Sequence, residues 1–213
     1  MAGHCCRALG DRAVSRSQVF QFRITLRDIE PPVWRDIEVP ATYSLWDLHV
    51  AIQDAMGWKD YHLHAFRFHD QTTGVQVEVG IPDEDAFDDS EPVLAGWEHP
   101  LHEFFVEPGT SAEYEYDFGD GWEHDVLFQA VVPRIKGRKY PRCIGGARAC
   151  PPEDCGGPHG YANLLSIIFD PLHEEFESTM TWLGGAFDPE RFQAAKVRFD
   201  NPKTRWKRAF QEP

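Results

Sequence analysis

Apolar and polar side chains alternate along the first part of the chain in the manner of β-strands. Every second residue from Phe20 to Leu26 is apolar in QVFQFRITLR (18–27), and after the turn DIEPP a similar alternation runs through VWRDIEVP (33–40). Because successive side chains of a strand point to opposite faces, this pattern predicts two half-buried strands joined by the turn.

The following segment has helical spacing. Ser44 is suited to the N-cap and Gly57 to the end of the helix, and the apolar positions between them are three or four residues apart: Leu45, Leu48, Ile52 and Met56. Two further runs, YHLHAFRFHD (61–70) and GVQVEVG (74–80), predict a third and a fourth strand. This strand–strand–helix–strand order resembles the start of a β-grasp arrangement, in which a sheet wraps one helix.

The segment SAEYEYDFGDGWEHDVLFQAVVP (111–133) predicts a β-hairpin with two alternative registers. A two-residue turn at Asp120-Gly121 would place aromatic side chains opposite carboxylates. A three-residue loop from Gly119 to Gly121 instead gives one apolar face, with these pairs: Phe118 with Trp122, Tyr116 with His124, and Tyr114 with Val126. We adopt the second register. It collects four carboxylates on the other face, which water, a basic side chain or a cation must offset: Glu115, Asp117, Glu123 and Asp125.

The last third of the chain has helical patterns. One predicted helix follows Tyr161, a second lies in LHEEFESTMTWLGG, and a third starts at Asp188-Pro189-Glu190. Strands precede helices, so we predict an α+β fold with a mixed or antiparallel sheet and a C-terminal helical part. The domain boundaries that we predict are a flexible tail at 1–17, a single domain at 18–199 and a basic tail at 200–213.

Composition supports one packed domain. Of the 213 residues, 42% are hydrophobic and 13% aromatic, which is ample for a core. No apolar run approaches the ~20 residues that cross a bilayer, and the first residues lack the long apolar stretch of a secretory signal. We therefore expect a cytoplasmic protein without a membrane partner; a mitochondrial presequence in the first residues is the alternative.

The charge disfavours nucleic acid. The formal net charge is −14 and the pI is about 5.1, whereas nucleic-acid binders carry basic surfaces that neutralise phosphates. We expect such contact only through a basic C-terminal stretch: Lys203, Arg205, Lys207 and Arg208. The acidic stretch 78–98 predicts a long solvated loop.

Five ordered motifs resemble the plasmid pRiA4b ORF-3-like family: PPVWRDIEVP, GWKDYHLHAF, YEYDFGDGWEHD, CIGGARACPPEDCGG and LHEEFESTMTWLGGAFDPERF. The resemblance covers residues 18–199 and implies an α+β domain that occurs alone or fused to other modules. Some members carry resolvase-like or transposon-associated labels without an established activity. The resemblance therefore implies a fold and leaves the function open.

Three of the five cysteines lie in a Gly/Pro-rich segment: Cys143, Cys150 and Cys155. Thiolates bind zinc, but structural zinc sites usually use cysteines separated by two to four residues, and here six and four residues intervene. His124 or His159 could complete a tetrahedral Zn²⁺ site, the one cofactor that the sequence suggests. The same thiols also suit small buried side chains of a loop.

Two other groups carry candidate chemistry. His62 and His64 would share one face of the third strand, which suits a metal or acid–base site. In the hairpin, Asp117, Asp120 and His124 could bind a cation or exchange protons. Hydrogen-bonded edge histidines and ordinary turn residues are the simpler interpretations.

These observations favour an interaction module over an enzyme, with a protein as a candidate partner. We expect a surface groove near the hairpin, lined by aromatic residues: Tyr114, Tyr116, Trp122 and Trp58. One alternative is a metal-dependent hydrolytic enzyme that uses the histidines and hairpin aspartates. The other is a nucleic-acid-associated accessory protein of mobile elements that uses the basic C-terminal stretch.

Overall fold

The computed structural model of the protein describes residues 15–69, 74–82 and 92–211. The residues of the predicted N-terminal tail up to 14, and residues 83–91 of the predicted acidic loop, lie outside this part. The elements in chain order are β1 (Gln18–Leu26), β2 (Trp34–Pro40), α1 (Leu45–Met56), β3 (His64–His69), β4 (Gln76–Gly80), β5 (Leu94–Ala95), α2 (Leu101–Phe104), β6 (Ser111–Tyr116), β7 (Trp122–Pro133), β8 (Arg142–Ala147), α3 (Gly157–Ile168), α4 (Phe176–Trp182), a 3-10 turn (Ala194–Lys196) and α5 (Pro202–Phe210).

The strands form one mixed sheet in the order β5-β4-β3-β6-β7-β1-β2-β8. Neighbouring strands are antiparallel except β4 and β5, which are parallel. The pairing of β1 with β7 joins the N-terminal strands to the predicted hairpin, and the helices are concentrated at the C-terminal end. The α+β class is therefore confirmed.

Helix α1 lies across one face of the sheet. Ser44 and Asp47 form a capping box at its start, and Gly57 ends it in the left-handed conformation at φ 97°, as the sequence predicts. Ten of its twelve residues are buried. The helix contacts β2 and β4, which four other strands separate in the sheet, so the strands cover it along its length.

The core between α1 and the sheet is rich in aromatic rings. Phe22 on β1 lies 4.8 Å from Phe105 and 5.4 Å from Phe128, measured between ring centroids. All three rings are essentially inaccessible to solvent. Each such ring contributes a large buried apolar area and favours tilted or edge contacts of this kind.

The hairpin has the predicted apolar face but a different register. Tyr116 pairs with Trp122 and Tyr114 with His124, so the three-residue loop was wrong by two residues. The loop has five residues, and Asp117 holds it together because its side chain accepts hydrogen bonds from the backbone N–H groups of Gly119 and Asp120. A shift of two residues keeps the paired strand residues on their predicted faces. Phe118, predicted to face Trp122 on the apolar side, instead lies in the loop and is 48% exposed.

The other face of the hairpin carries the expected excess of carboxylates, but the paired residues differ from those predicted. Glu115 lies opposite Glu123, and Glu113 lies opposite Asp125. Basic side chains offset them: Arg27 bridges to Glu113, Glu123 and Asp125, and Arg67 bridges to Glu115 and Glu78. A cation is therefore not required on this face.

The C-terminal part follows the predictions only in part. Helices α3 and α4 form, but the segment after Asp188 contains a 3-10 turn in place of the predicted helix. Tertiary contacts explain the difference: the carbonyl of Pro189 accepts a hydrogen bond from Ala149, and the Phe192 ring covers the guanidinium of Arg35 at 3.7 Å. These contacts hold the segment against β8, a strand that the Gly-rich sequence did not reveal.

The predicted basic tail is a packed helix through residue 210. Asn201 caps α5, and the Trp46 Nε1–H donates to the Pro202 carbonyl at 3.1 Å. Arg205 forms ion pairs with Asp54, Asp60 and Asp200. None of the helices within the described ranges has the length and apolar character needed to span a membrane.

Candidate metal centre

Three loops converge at one end of the hairpin: residues 58–63 after α1, residues 117–121 between β6 and β7, and residues 150–156 before α3. Hydrogen bonds between side chains and backbone groups fix them to one another. Trp58 Nε1–H donates to the Pro151 carbonyl at 2.9 Å, and the Gly156 N–H donates to Asp120 Oδ2 at 3.0 Å. The side chains that project between the loops are therefore held in a defined arrangement.

His62, Asp117 and Asp154 meet at this junction, one residue from each loop. His62 Nε2 lies 2.9 Å from Asp154 Oδ1 and 3.5 Å from Asp117 Oδ2. The three ligand atoms all lie within 4.8 Å of one another. Within the described ranges, this is the one group of three or more His, Cys, Asp or Glu side chains close enough to share a metal ion.

Asp117 is the buried member of the cluster. Only 7% of the residue is exposed, and its backbone has the left-handed φ of 57°. Oδ1 accepts the N–H groups of Gly119 at 3.0 Å and Asp120 at 3.3 Å, so Oδ2 is the oxygen turned toward His62. Asp154 also has a left-handed φ, 56°, but is exposed. Aspartate tolerates this conformation better than most residues.

The surroundings add negative charge. Glu153 accepts hydrogen bonds from the Lys59 backbone N–H and, at 3.3 Å, from the Tyr116 hydroxyl. Burial raises the pKa of Glu153, and the neighbouring Asp154 raises it further. Burial also raises the pKa of Tyr116, which keeps its proton for this bond. A positive charge between these groups would be stabilised.

An imidazole nitrogen and two carboxylate oxygens can serve as ligands of Mn²⁺, Fe²⁺ or Zn²⁺. The donor set of His62, Asp117 and Asp154 therefore fits a divalent cation. The same three side chains can also form an ion pair in which a protonated His62 bridges two carboxylates. The two states differ in one measurable property, the binding of metal.

The other predicted histidines lie in the core. His124 is fully buried; Nδ1 lies 3.1 Å from the Tyr114 carbonyl, to which it can donate, and burial lowers its pKa to about 4. His64 stacks on His49 with ring centroids 3.4 Å apart, and burial lowers its pKa well below 6.5. His62 lies before β3, so the predicted His62–His64 pair on one strand face was wrong.

The three thiols do not form the predicted zinc cluster with His124 or His159. Cys143 lies on β8, and no three ligand atoms that include a described sulfur fall within 4.8 Å of one another. Burial raises the pKa of all three thiols, that of Cys155 to about 12. Cys150 and Cys155 are partly buried loop thiols, as in the alternative interpretation, whereas Cys143 belongs to a strand.

The predicted aromatic groove is part of the core. Tyr114, Tyr116, Trp122 and Trp58 are each at most 5% exposed. Trp58 stacks on Tyr116 with centroids 5.0 Å apart and lies 5.9 Å from Trp122. These rings pack beneath the loops of the cluster, and they cannot line a surface groove because all four are buried.

The basic C-terminal stretch is divided by the packing of α5. Lys203, Lys207 and Arg208 are exposed, whereas Arg205 points inward to its three aspartates. A contiguous surface of four cations, as the sequence suggested for nucleic acid, is therefore not formed.

Asp154 is the residue of the cluster that sequence reasoning missed as a ligand. It follows Pro151, Pro152 and Glu153, a combination that by itself indicates only a structural loop. Asp120, predicted as a catalytic candidate, binds the Gly156 backbone instead and connects two of the loops. No local pattern in the sequence shows that residues 117 and 154 meet.

Comparisons with known proteins identify a family. The family model described as plasmid pRiA4b ORF-3-like protein matches residues 18–196. The uncharacterized protein y4hQ of Sinorhizobium fredii (strain NBRC 101917 / NGR234) is 37% identical over 170 residues, which cover 80% of this chain and 83% of the relative. The crystal structure of the protein of unknown function MM3350 from Methanosarcina mazei Go1 is 38% identical, with a TM-score of 0.77 over 87% of this chain and 100% of that chain. These names carry no activity.

Proposed function

The chain belongs to the plasmid pRiA4b ORF-3-like family, and we propose that it acts as a divalent-cation-binding module whose ion is held by His62, Asp117 and Asp154. The observation that supports this proposal is the convergence of three loops that brings three ligand atoms within 4.8 Å of one another. Each ligand comes from a different loop, so an ion bound there would connect segments that are distant in sequence.

The charges of the cluster favour a bound divalent cation over the ion pair alone. A carboxylate as buried as Asp117 is costly unless a positive charge or hydrogen bonds compensate it. Its Oδ1 has two N–H partners, whereas among the described residues the His62 imidazole, at 3.5 Å, is the one partner of Oδ2. With Asp154 and Glu153 adjacent, a single imidazolium leaves net negative charge, which a divalent ion would neutralise more completely.

Three protein ligands leave coordination positions for water or for an oxygen atom of a bound ligand. The site is at the surface, since His62 is partly exposed and Asp154 is exposed. The proposed role is therefore cation-dependent binding of an oxygen-containing ligand, which is consistent with an interaction module.

Isothermal titration of the full chain with Mn²⁺ tests the proposal. Mn²⁺ prefers oxygen and nitrogen ligands, so the thiols do not compete for it. We expect one ion per chain and a loss of at least about tenfold in affinity in Asp154→Asn, because a coordinating carboxylate becomes a neutral amide. Asn keeps the shape and tolerates the left-handed φ.

Asp28→Asn is the matched control. Asp28 is also exposed and has nearly the same φ, 58°, but lies outside the cluster. It should bind Mn²⁺ like the unmodified chain. No binding by the unmodified chain, or equal affinities of the Asp28 and Asp154 variants, would leave the ion-pair interpretation in its place.

We also propose a cytoplasmic location. Cys143, Cys150 and Cys155 are free thiols, which suits a reducing compartment. Mass spectrometry of protein alkylated during lysis should find these thiols unpaired; disulfides among them would contradict the proposal.

A further inference from the structure

Asp60 lies in the loop that carries His62, and its carboxylate contacts two helices. Oδ1 lies 2.8 Å from His49 Nε2 on α1, and Oδ2 accepts a hydrogen bond from the Arg205 guanidinium on α5 at 3.3 Å. The Asp60 side chain is 9% exposed. Both oxygens of one nearly buried carboxylate therefore connect the His62 loop to other elements of the fold.

The two partners of Asp60 are themselves held in place. His49 is fully buried, and its Nδ1 lies 2.8 Å from the Tyr114 hydroxyl on β6. Arg205 forms a second, shorter ion pair of 2.6 Å with Asp54 on α1. Asp60 thus joins the loop to two groups whose positions the core and α1 determine.

The backbone at Asp60 makes these contacts important for His62. Asp60 has a left-handed φ of 63°, a sparsely populated conformation that persists where surrounding contacts fix it. The next residue, Tyr61, donates its N–H to the Tyr116 hydroxyl at 3.0 Å. Because one residue separates Asp60 from His62, a change of backbone conformation at Asp60 would move the His62 imidazole relative to Asp117.

Helix α5 has contacts with the start of α1 that do not involve the loop. The Trp46 Nε1–H donates to the Pro202 carbonyl at 3.1 Å, and the Trp46 ring lies 5.4 Å from that of Phe210. Arg205 lies between these two contacts along the helix. Packing of α5 on α1 therefore presents the Arg205 guanidinium to Asp60 in a defined position.

We propose that Asp60 is a positioning residue for the cation site and that it couples cation binding to the packing of α5. This proposal rests on the cation site proposed above. With α5 packed on α1, Arg205 and His49 hold Asp60, and the loop keeps His62 beside the two aspartates of the cluster. Coupling between two sites is reciprocal, so a bound ion also stabilises α5 in its packed position.

Isothermal titration with Mn²⁺ tests the proposal by comparing Asp60→Asn with Asp54→Asn. Each substitution removes one carboxylate partner of Arg205 and keeps the shape of the side chain, and the two aspartate side chains are 9% and 7% exposed. Asparagine also tolerates the left-handed φ of residue 60. We expect Asp60→Asn to bind at least about fivefold more weakly than the unmodified chain, and Asp54→Asn to stay within about twofold of it.

Hydrogen exchange followed by mass spectrometry gives a second readout, which a loss of stability alone would not change. At Mn²⁺ concentrations that saturate all three proteins, amide exchange in residues 202–210 should slow in the unmodified chain and in Asp54→Asn, but not in Asp60→Asn. Equal Mn²⁺ affinities of the two variants, or the same slowing of exchange in both, would overturn this proposal and leave the cation site standing. Failure of the unmodified chain to bind Mn²⁺ would overturn both.

Discussion

Because the hairpin loop contacts the start of α3, we expect one methyl group added at Gly157 to lower the free energy of unfolding substantially. Gly157 has φ +67°, and a Cβ added there would overlap the carbonyl oxygen of Asp120. Gly184 has almost the same φ, +69°, with open space around the added Cβ. The two glycines therefore share the backbone strain of an alanine substitution and differ only in the steric clash.

The magnitudes follow from these two contributions. A left-handed conformation costs an L-residue about 1–2 kcal/mol, which is the whole effect expected for Gly184→Ala. Gly157→Ala adds overpacking of about 1–3 kcal/mol, because two backbone segments must separate. We therefore expect it to lower the free energy of unfolding by about 2–5 kcal/mol.

Urea unfolding followed by tryptophan fluorescence measures both variants. Separation of the loops would also move Asp154 away from Asp117, so Gly157→Ala should weaken Mn²⁺ binding while Gly184→Ala should not. If the two substitutions cost the same free energy, the 117–121 loop and the start of α3 are not packed as described.

Two further predictions concern buried charge. Arg205→Met should lower the free energy of unfolding by about 3–5 kcal/mol, because it leaves the nearly buried carboxylates of Asp54 and Asp60 without a compensating charge. Arg208→Met, on the exposed side of α5, should have little effect. Equal effects of the two substitutions in urea unfolding would refute the described packing of α5. Because the folded-state pKa of His124 is lowered from 6.5 to about 4, the unfolded chain binds more protons between these values, and stability should fall by about 3 kcal/mol as the pH drops through that window. His124→Leu should flatten that pH dependence, whereas His159→Leu, at an exposed position, should not. Identical pH dependences of the two variants would contradict the lowered pKa of His124.

The elements with strong local signals could be predicted from the sequence. The alternation in β1 and the Ser44 and Gly57 caps of α1 determine local structure directly, and both are confirmed. In the hairpin, the alternation fixed the buried face, but the register depended on the loop that Asp117 closes with its own side chain. A two-residue shift leaves the pattern of faces unchanged, so periodicity could not distinguish the registers.

Elements that depend on distant partners could not be predicted in this way. Strand β8 is rich in glycine and forms because the edge of β2 is available for pairing. Helix α5 carries a charge pattern typical of a solvated tail, and its place is set by Arg205 and by contacts with Trp46. Tertiary packing overrode local propensity in both cases.

The candidate site was partly visible in the sequence. His62 and Asp117 were recognised by residue type, but burial of His64 and His124 could not be separated from a ligand role by spacing alone. Asp154 is 37 residues beyond Asp117 and meets it only through the fold. A set of ligands drawn from three loops leaves no spacing motif in the sequence.

Anomalous diffraction from crystals of the full chain grown with Mn²⁺ would test the cation site most directly. We predict one anomalous peak at coordination distance, about 2.1 Å, from His62 Nε2, Asp117 Oδ2 and Asp154 Oδ1. A well-ordered junction without a peak, with His62 still bridging the two carboxylates, would contradict the proposed function.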